Sequence, residues 1–482
     1  MLHNRVGGQK LFKLFGRYSL IFILFFFTLN AKTFENFKRS SADTYSKYKD
    51  KNDIKFSKSL KQQFKAYLIS KDVKSYEESK PLSLSIAIAN RIKPAGPIIH
   101  VNVDENKQKI DMMIEVDKNA EKDISFSYFG STLKLNIPPK IKSAKYYPQN
   151  QKGINNFFDM VASSAYENLL LDIKNICKRM KLNDWGLYLL IKKISKNTFS
   201  NTDDAKLLTW FLFSKMGYAV KIGLVSKHIV LMHYSKNIIY SKSSYKFDDK
   251  NFYVLDNSNI RYRRVYSYKY NYDGSDKSFD LSLDTLPNLK HEIEEKKLKF
   301  KSQGTIHTIK YSYNKNLIDF MATYPQANYE TFFNAPMQEK TYTDIANGLK
   351  KFIDSRQASS AINFILNFVQ NAFIYEVDKK QFGHEKVMFA QEVLYYDKSD
   401  CDDRSVLFSY LVKKLFGFSV VGVKYKDHMA TALYIPMTGD SVNVNSKKYI
   451  VADPSFIDAS IGQSIPKYKS IKPQSFIVIN KS

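Results

Sequence analysis

The sequence predicts an α+β protein in which a helix beginning at Cys401 packs on an antiparallel sheet that carries His428 and Asp453. Two observations support this fold class. Apolar residues after the cysteine recur at intervals of three and four, which is typical of an amphipathic helix, at Val406, Leu407, Tyr410, Leu411 and Leu415. Further along, apolar and polar residues alternate around His428 and before Asp453, which is typical of strands.

The elements of this domain follow one another closely along the chain. Gly417 is expected to end the helix, and Ser419 to Tyr425 is expected to form the next strand. His428 would begin a second strand, and a third would end at Asp453. Because adjacent strands bring facing side chains together, we expect His428 and Asp453 to lie within hydrogen-bond distance.

The three side chains are the groups that thiol catalysis requires. A cysteine supplies the nucleophile, an imidazole takes its proton, and a carboxylate fixes the imidazole tautomer. The helix N-terminus favours the thiolate and should lower the pKa of Cys401. Three aspartates beside it oppose that effect by repelling the anion, and the sequence leaves the balance open (Asp400, Asp402 and Asp403).

A cysteine on a helix followed by His and Asp on successive strands resembles the transglutaminase-like, papain-related cysteine enzyme superfamily, over residues 345 to 470. The resemblance implies that Cys401 is the nucleophile, His428 the base and Asp453 the orienting group. It also implies a papain-like domain that needs neither metal nor organic cofactor.

An oxyanion donor is also required. The backbone N–H of Cys401 is one candidate, and the side chains of Gln391, Tyr395 and Tyr396 are others because they lie a few residues upstream.

Residues 155–260 resemble a second, weaker copy of the same unit. Thr202 begins an apolar helical pattern where the later copy has its cysteine, and His228 follows Gly217 at the spacing at which His428 follows Gly417. Asp256 then closes the copy. An internal threonine is a poor nucleophile, so this copy is expected to be inactive.

The chain of 482 residues is long enough for several domains. Strand-like segments before each copy predict β-rich modules in tandem with the papain-like domains. The expected organisation is a signal peptide or membrane anchor at 1–31, a helical and linker segment at 32–80, a β-rich module at 81–145, the degenerate domain at 146–260, a second β-rich module at 261–340 and the catalytic domain at 341–482.

The N-terminus suggests export. Lys10, Lys13 and Arg17 precede the apolar run Ser19 to Leu29, which suits a secretory signal, although an uncleaved inner-membrane anchor is the alternative. We therefore expect a periplasmic or membrane-anchored protein.

Charge and composition narrow the partners. Lys and Arg number 74 against 47 Asp and Glu, an excess of 27 that is spread along the chain and suits an anionic cell-envelope surface. The 44% hydrophobic content excludes a disordered chain. A run of tyrosines with arginines near residues 261–272 raises nucleic-acid binding as a weaker option, against which export argues.

Two functions remain open at this point. The first is an exported thiol hydrolase or acyltransferase whose substrate is a protein or cell-wall peptide. The second is a non-catalytic cell-envelope binding or assembly protein that keeps the scaffold. A Cys177–Cys401 disulfide would occupy the nucleophile and is a further alternative, since the chain has only these two cysteines.

Overall fold

The structure is a computed structural model that describes residues 51–71, 74, 80–88, 93–103, 122–256 and 262–479. The expected signal or anchor at residues 1–31 lies outside these residues. Within them, helices and sheets are mixed along the chain, which confirms the α+β class. Over the same residues, no helix is both long enough and apolar enough to span a bilayer.

The first half of the chain contains six helices and nine strands within the described residues. The helices are α1 (described over 51–60), α2 (Pro139–Ser143), α3 (Gln151–Ala162), α4 (Tyr166–Met180), α5 (Asp184–Thr198) and α6 (Thr202–Lys215). The strands are β1 (Lys65–Leu68), β2 (Ser85–Ile86), β3 (Ile124–Tyr128), β4 (Ser131–Leu135), β5 (Val220–Val225), β6 (His228–Tyr234), β7 (Ser244–Phe247), β8 (Lys250–Tyr253) and β9 (Arg264–Ser267).

The second half begins with a long hairpin. Its strands are β10 (Ile293–Ser302), β11 (Thr305–Asn314), β12 (Ile374–Tyr375), β13 (Lys398–Ser399), β14 (Val420–Lys424), β15 (Met429–Leu433), β16 (Ser441–Val444), β17 (Lys447–Ala452), β18 (Phe456–Ile457) and β19 (Ser475–Val478). Its helices are α7 (Lys315–Ala322), α8 (Tyr329–Phe333), α9 (Glu339–Ile353), α10 (Ala358–Asn371), α11 (Asp378–Gln381), α12 (Ala390–Tyr395) and α13 (Cys401–Phe416), with a 3-10 turn at Pro466–Tyr468.

The two larger sheets share a strand order. The first sheet runs β1-β9-β5-β6-β8-β7, and the second runs β19-β14-β15-β17-β16. In both, a helix leads into an antiparallel hairpin, β5-β6 or β14-β15, whose second strand pairs with the second strand of a later hairpin. Helix α6 packs on β5 and β6 as α13 packs on β14 and β15.

A continuous apolar core joins both halves, from Phe56 of α1 to Ile479 after β19. Two smaller clusters cover the other faces of the two sheets. The β10-β11 hairpin packs on α9 and α10, so this part of the β-rich module expected at 261–340 is continuous with the second unit's helices, whereas β9 belongs to the first sheet.

The segments before the first unit are also tied to the rest of the chain. Residues 65–68 of the expected linker form β1, which pairs with β9 at the sheet edge. In the expected β-rich module at 81–145, β3 and β4 form a hairpin, while β2 pairs with β18 of the second unit. The N-terminal segment therefore reaches the elements around Asp453.

Candidate active site

Helix α13 places Cys401 at its first position. The Asp403 carboxylate accepts hydrogen bonds from the backbone N–H groups of Asp400, at 3.1 Å, and Met388, at 2.9 Å. Gly417, with φ of 68°, ends the helix as expected. These bonds fix the first turn, and with it the cysteine, against the chain before α12.

His428 and Asp453 form the hydrogen-bonded pair expected from the sequence. Nε2 of His428 lies 2.7 Å from Oδ2 of Asp453, and both side chains are buried. The other carboxylate oxygen of Asp453 accepts from the backbone N–H of Ser455 at 2.9 Å. Within the described chain, the second ring nitrogen of His428, Nδ1, is buried and has no hydrogen-bond partner.

Gln370 on α10 holds the loop after β17. Its Nε2 donates to the backbone carbonyls of Asp453 at 3.2 Å, Phe456 at 2.7 Å and Ala459 at 3.2 Å. A buried amide that satisfies three carbonyls fixes the loop backbone and thereby the Asp453 carboxylate.

Helix α13 is joined to β15 next to His428. The backbone of Met429 makes a hydrogen bond that lowers the pKa of Cys401. One turn along the helix, the hydroxyl of Ser405 donates to the carbonyls of Cys401 at 2.8 Å and Met429 at 3.2 Å. The thiol is therefore held beside the residue that follows the imidazole.

The balance that the sequence left open favours the neutral thiol. Burial, followed by the charges of Asp402 and Asp400, raises the pKa of Cys401 well above its ordinary value, although Lys80 and the Met429 backbone lower it. Sγ lies 3.9 Å from Oδ1 of Asp402. The helix N-terminus would favour the thiolate, but burial and the neighbouring carboxylates raise the pKa of Cys401 on balance.

Lys80 lies among four carboxylates beside the cysteine. Its Nζ is 2.6 Å from Asp400, 2.8 Å from Asp402, 2.9 Å from Asp378 and 3.2 Å from Glu385, and its side chain is 8% exposed. The carboxylates raise the pKa of Lys80 well above its ordinary value although burial opposes this. The ammonium is thus a positive charge that compensates the acidic turn.

The acidic residues respond differently to this environment. Burial raises the pKa of Asp400, Asp403 and Asp378. Against burial, Lys80 lowers the pKa of Asp402 to about 2. Two sets of donor atoms are close enough together to hold a metal ion, Asp400 with Cys401 and Asp402, and Asp378 with Asp400 and Asp403. The Lys80 ammonium contacts carboxylates of both sets.

Two tyrosines complete the surroundings of the thiol. The Tyr468 ring stacks on the imidazole of His428, with centroids 4.8 Å apart and planes inclined by 16°, and its hydroxyl donates to Asp427 at 3.0 Å. The pKa of Tyr375 is raised by burial and then by the charge of Cys401. Its buried hydroxyl has no hydrogen-bond partner among the described residues.

The three side chains expected as oxyanion donors each have described contacts, while the amide nitrogen of Gln391 is buried without a hydrogen-bond partner among the described residues. Gln391 accepts a hydrogen bond from the backbone of Gln338 at 2.8 Å. The Tyr395 ring packs at 5.4 Å on Tyr313, and the Tyr396 ring at 5.3 Å on Phe382. Gln391 thus meets the residue before α9, Tyr395 meets the β10-β11 hairpin, and Tyr396 meets the residue that follows α11.

The first unit does not reproduce the pairing of the second. Thr202 begins α6 as Cys401 begins α13. His228, however, has an exposed side chain whose Nδ1 lies 3.2 Å from Asp203. Asp256 lies 3.9 Å from the ammonium of Lys206. Among the described contacts, His228 is therefore paired with Asp203 and Asp256 with Lys206.

Both cysteines are free thiols, so the alternative of a Cys177–Cys401 disulfide is not realised. Cys177 lies half-buried in α4, where burial and then Asp184 raise its pKa to about 12.

Four residues of the site were missed by sequence reasoning: Lys80, Gln370, Tyr375 and Tyr468. Lys80 stands in the segment taken as a linker, and the other three stand in ordinary helix, strand and loop patterns. The excess of aspartates at Asp400, Asp402 and Asp403 was the one available signal, since buried carboxylates require a cation.

Comparison with known proteins finds no match: no family model, no curated protein and no solved structure is significantly similar to this chain.

Proposed function

We propose that this chain is an exported thiol enzyme of the transglutaminase-like, papain-related fold, which acts on amide bonds of protein or cell-wall peptide through Cys401, His428 and Asp453. The observation that best supports this proposal is the hydrogen bonding of the two ring nitrogens of His428. Nε2 of His428 is bonded to Asp453, and Nδ1 has no partner within the described chain. A carboxylate at one ring nitrogen leaves the other as a proton acceptor.

In the proposed reaction, Sγ of Cys401 attacks the amide carbonyl while its proton passes to Nδ1 of His428. The carbon–nitrogen bond then breaks, the imidazolium returns the proton to the leaving amine, and a thioester remains. Water or an amine attacks the thioester, His428 takes its proton, and the carbon–sulfur bond breaks to restore the thiol. Water as acceptor gives hydrolysis, and an amine gives acyl transfer.

The protonation state of the resting enzyme follows from the raised pKa of Cys401. The thiol is neutral before substrate binds, so His428 acts as a general base during attack. For the oxyanion we propose two donors, the backbone N–H of Cys401 and the hydroxyl of Tyr375, which is buried without a partner among the described residues.

The common strand order of the two sheets supports an internal duplication. Helices α6 and α13 each pack on the first hairpin of a sheet with the same arrangement. In the first copy, Thr202 stands where the thiol would be, and His228 is paired with Asp203. We therefore propose that this copy is inactive in acyl transfer.

A non-catalytic cell-envelope binding or assembly protein is the second candidate, and burial of the site favours it. The exposed fractions are 2% for Cys401 and 3% for His428. Tyr468 stacks over the imidazole, and Lys80 reaches the first turn of α13. A substrate reaches the Cys401 sulfur only if the Tyr468 ring or the Lys80 side chain moves.

Acylation by p-nitrophenyl acetate distinguishes the two functions. The experiment uses Cys177→Ala protein, so that Cys401 is the single thiol. The enzyme proposal expects an acetyl group on Cys401 by peptide mass spectrometry, slower formation with His428→Gln, and none with Cys401→Ala. If the folded protein stays unmodified while Cys401 alkylates fully in urea, the scaffold function is supported and the enzyme is rejected.

Export is proposed from the basic and apolar pattern of residues 1–31. Fractionation of cells that produce the chain with and without these residues tests it. Recovery of both forms in the cytoplasm would contradict export.

A further inference from the structure

A cavity of about 560 Å³ opens at the start of α6 in the first unit, where Thr202 stands at the position that Cys401 has in the second. Its apolar wall includes Phe199, Ala205 and Leu231, and Thr202 lies in its lining. The volume is within the range of small-molecule binding sites. We name it the Lys192 pocket, after the lysine in its wall.

Three lysines line the Lys192 pocket: Lys192 and Lys196 on α5 and Lys206 on α6. Lys206 donates to the carbonyl of Ile229 at 2.7 Å and lies 3.9 Å from Asp256, the carboxylate of the lining. Lys192 lies 5.2 Å from the ring centroid of Tyr188. The lining therefore carries an excess of positive charge.

The pKa of Lys192 reflects burial and the neighbouring cations. Burial and then Lys196 lower the pKa of Lys192, and Asp256 opposes them. Lys242 and Lys206 add to the same repulsion. Burial lowers the pKa of Lys242 as well, and its Nζ donates to the carbonyl of Asp256 at 3.2 Å. A bound anion would relieve this repulsion.

Helix α6 begins beside the pocket, but its first backbone N–H groups are already occupied. Asn201 accepts hydrogen bonds from the backbone N–H groups of Asp203 and Asp204, at 2.8 and 3.1 Å. Thr202 is the residue of this helix start that lines the cavity. Because Asn201 caps these N–H groups and Asp203 and Asp204 lie in the first turn, the lysines supply the positive charge of the pocket.

We propose that the Lys192 pocket binds a small organic anion, a phosphate or carboxylate attached to an apolar body. The anionic group lies among Lys192, Lys196 and Lys206, and the apolar body lies against Phe199 and Leu231. The site is independent of Cys401, because it lies in the other unit. The first copy then has a binding function of its own.

Calorimetric titration tests the pocket with four probes: phenyl phosphate, phenylacetate, inorganic phosphate and neutral benzyl alcohol. We expect phenyl phosphate or phenylacetate to bind about tenfold tighter than benzyl alcohol, since charge-assisted hydrogen bonds add to the apolar contact. Preference between the first two identifies the anionic group. Inorganic phosphate should bind more weakly than phenyl phosphate, because it lacks the apolar body.

Matched variants locate the binding. Lys192→Gln should weaken it about tenfold, and Lys193→Gln, which alters the exposed neighbour on α5, should leave it unchanged. Lys196 is exposed at the pocket, so Lys196→Gln should leave the packing of the interior intact. A loss of affinity in this variant would therefore report on binding and not on misfolding. Failure of both aromatic anions to bind, or binding that Lys192→Gln and Lys196→Gln leave unchanged, would overturn the proposal.

Discussion

Replacement of Lys80 by methionine tests the electrostatics of the site. The methionine keeps an unbranched side chain of comparable length but removes the ammonium that lies within 3.2 Å of four carboxylates. The carboxylates of Asp378, Asp400 and Asp402 would remain buried without their cation. An uncompensated buried charge is strongly destabilising, whereas a buried pair compared with apolar residues is close to neutral.

The expected loss is about 3–5 kcal/mol of unfolding free energy at pH 7. Part of it follows from Asp402, whose pKa is lowered from 3.8 to about 2 in the folded protein, chiefly by Lys80. At 1.36 kcal/mol for each pH unit, that depression corresponds to about 2 kcal/mol. It stabilises the fold above the unfolded pKa and is lost as the pH falls through the folded one. This part of the difference between variant and parent should therefore persist from pH 7 down to about pH 4 and narrow from there toward pH 2, as Asp402 takes up its proton.

Urea denaturation followed by far-ultraviolet circular dichroism measures this loss. Both tryptophans, Trp185 and Trp210, lie in the first unit, so their fluorescence would not report on the second. The control is Lys142→Met, which breaks a 2.6 Å bridge to Asp123 at a lysine that is 44% exposed. Solvent screens that pair, and little change is expected. If Lys80→Met lowered the unfolding free energy as little as Lys142→Met does, the claim that Lys80 compensates the buried carboxylates would be refuted.

The other predictions concern the thiol and its surroundings. In Cys177→Ala protein, Asp402→Asn removes the nearest negative charge and should lower the pKa of Cys401, so that iodoacetamide alkylates Cys401 faster at pH 8. An unchanged alkylation rate would contradict repulsion between the Asp402 carboxylate and the Cys401 thiolate. Gln370→Leu removes a donor from three backbone carbonyls and should lower the rate of Cys401 acylation, while the denatured protein still labels fully at Cys401. An unaltered acylation rate would contradict the positioning role of Gln370. Tyr375→Phe should slow acylation by about a hundredfold if the hydroxyl binds the oxyanion, without a change in the alkylation rate; equal acylation rates would exclude that donor.

Local patterns predicted the framework of the site. The three- and four-residue spacing after Cys401 placed the start of the helix, and Gly417 placed its end, because both depend on nearby residues. Alternation placed β14, β15 and β17, and strand adjacency then brought His428 to Asp453. These are short-range signals with a direct geometric consequence.

What sequence reasoning missed depends on contacts between distant parts of the chain. Lys80 reaches the turn at Asp400 from a segment read as a linker, and β2 docks beside Asp453 through a pairing of two residues. The sign of the Cys401 pKa shift needed the burial of the thiol and the distance to Asp402. Neither quantity can be obtained from residue order.

Whether His428 acts as the base for the Cys401 thiol is tested most directly by the pH dependence of Cys401 alkylation in Cys177→Ala protein, with and without His428→Gln. If His428 is the base for this thiol, the parent should react with iodoacetamide at pH 7 about tenfold faster than the His428→Gln variant, and the two rates should converge at high pH, where hydroxide removes the proton. Equal rates across the whole range would mean that the imidazole does not act on the sulfur.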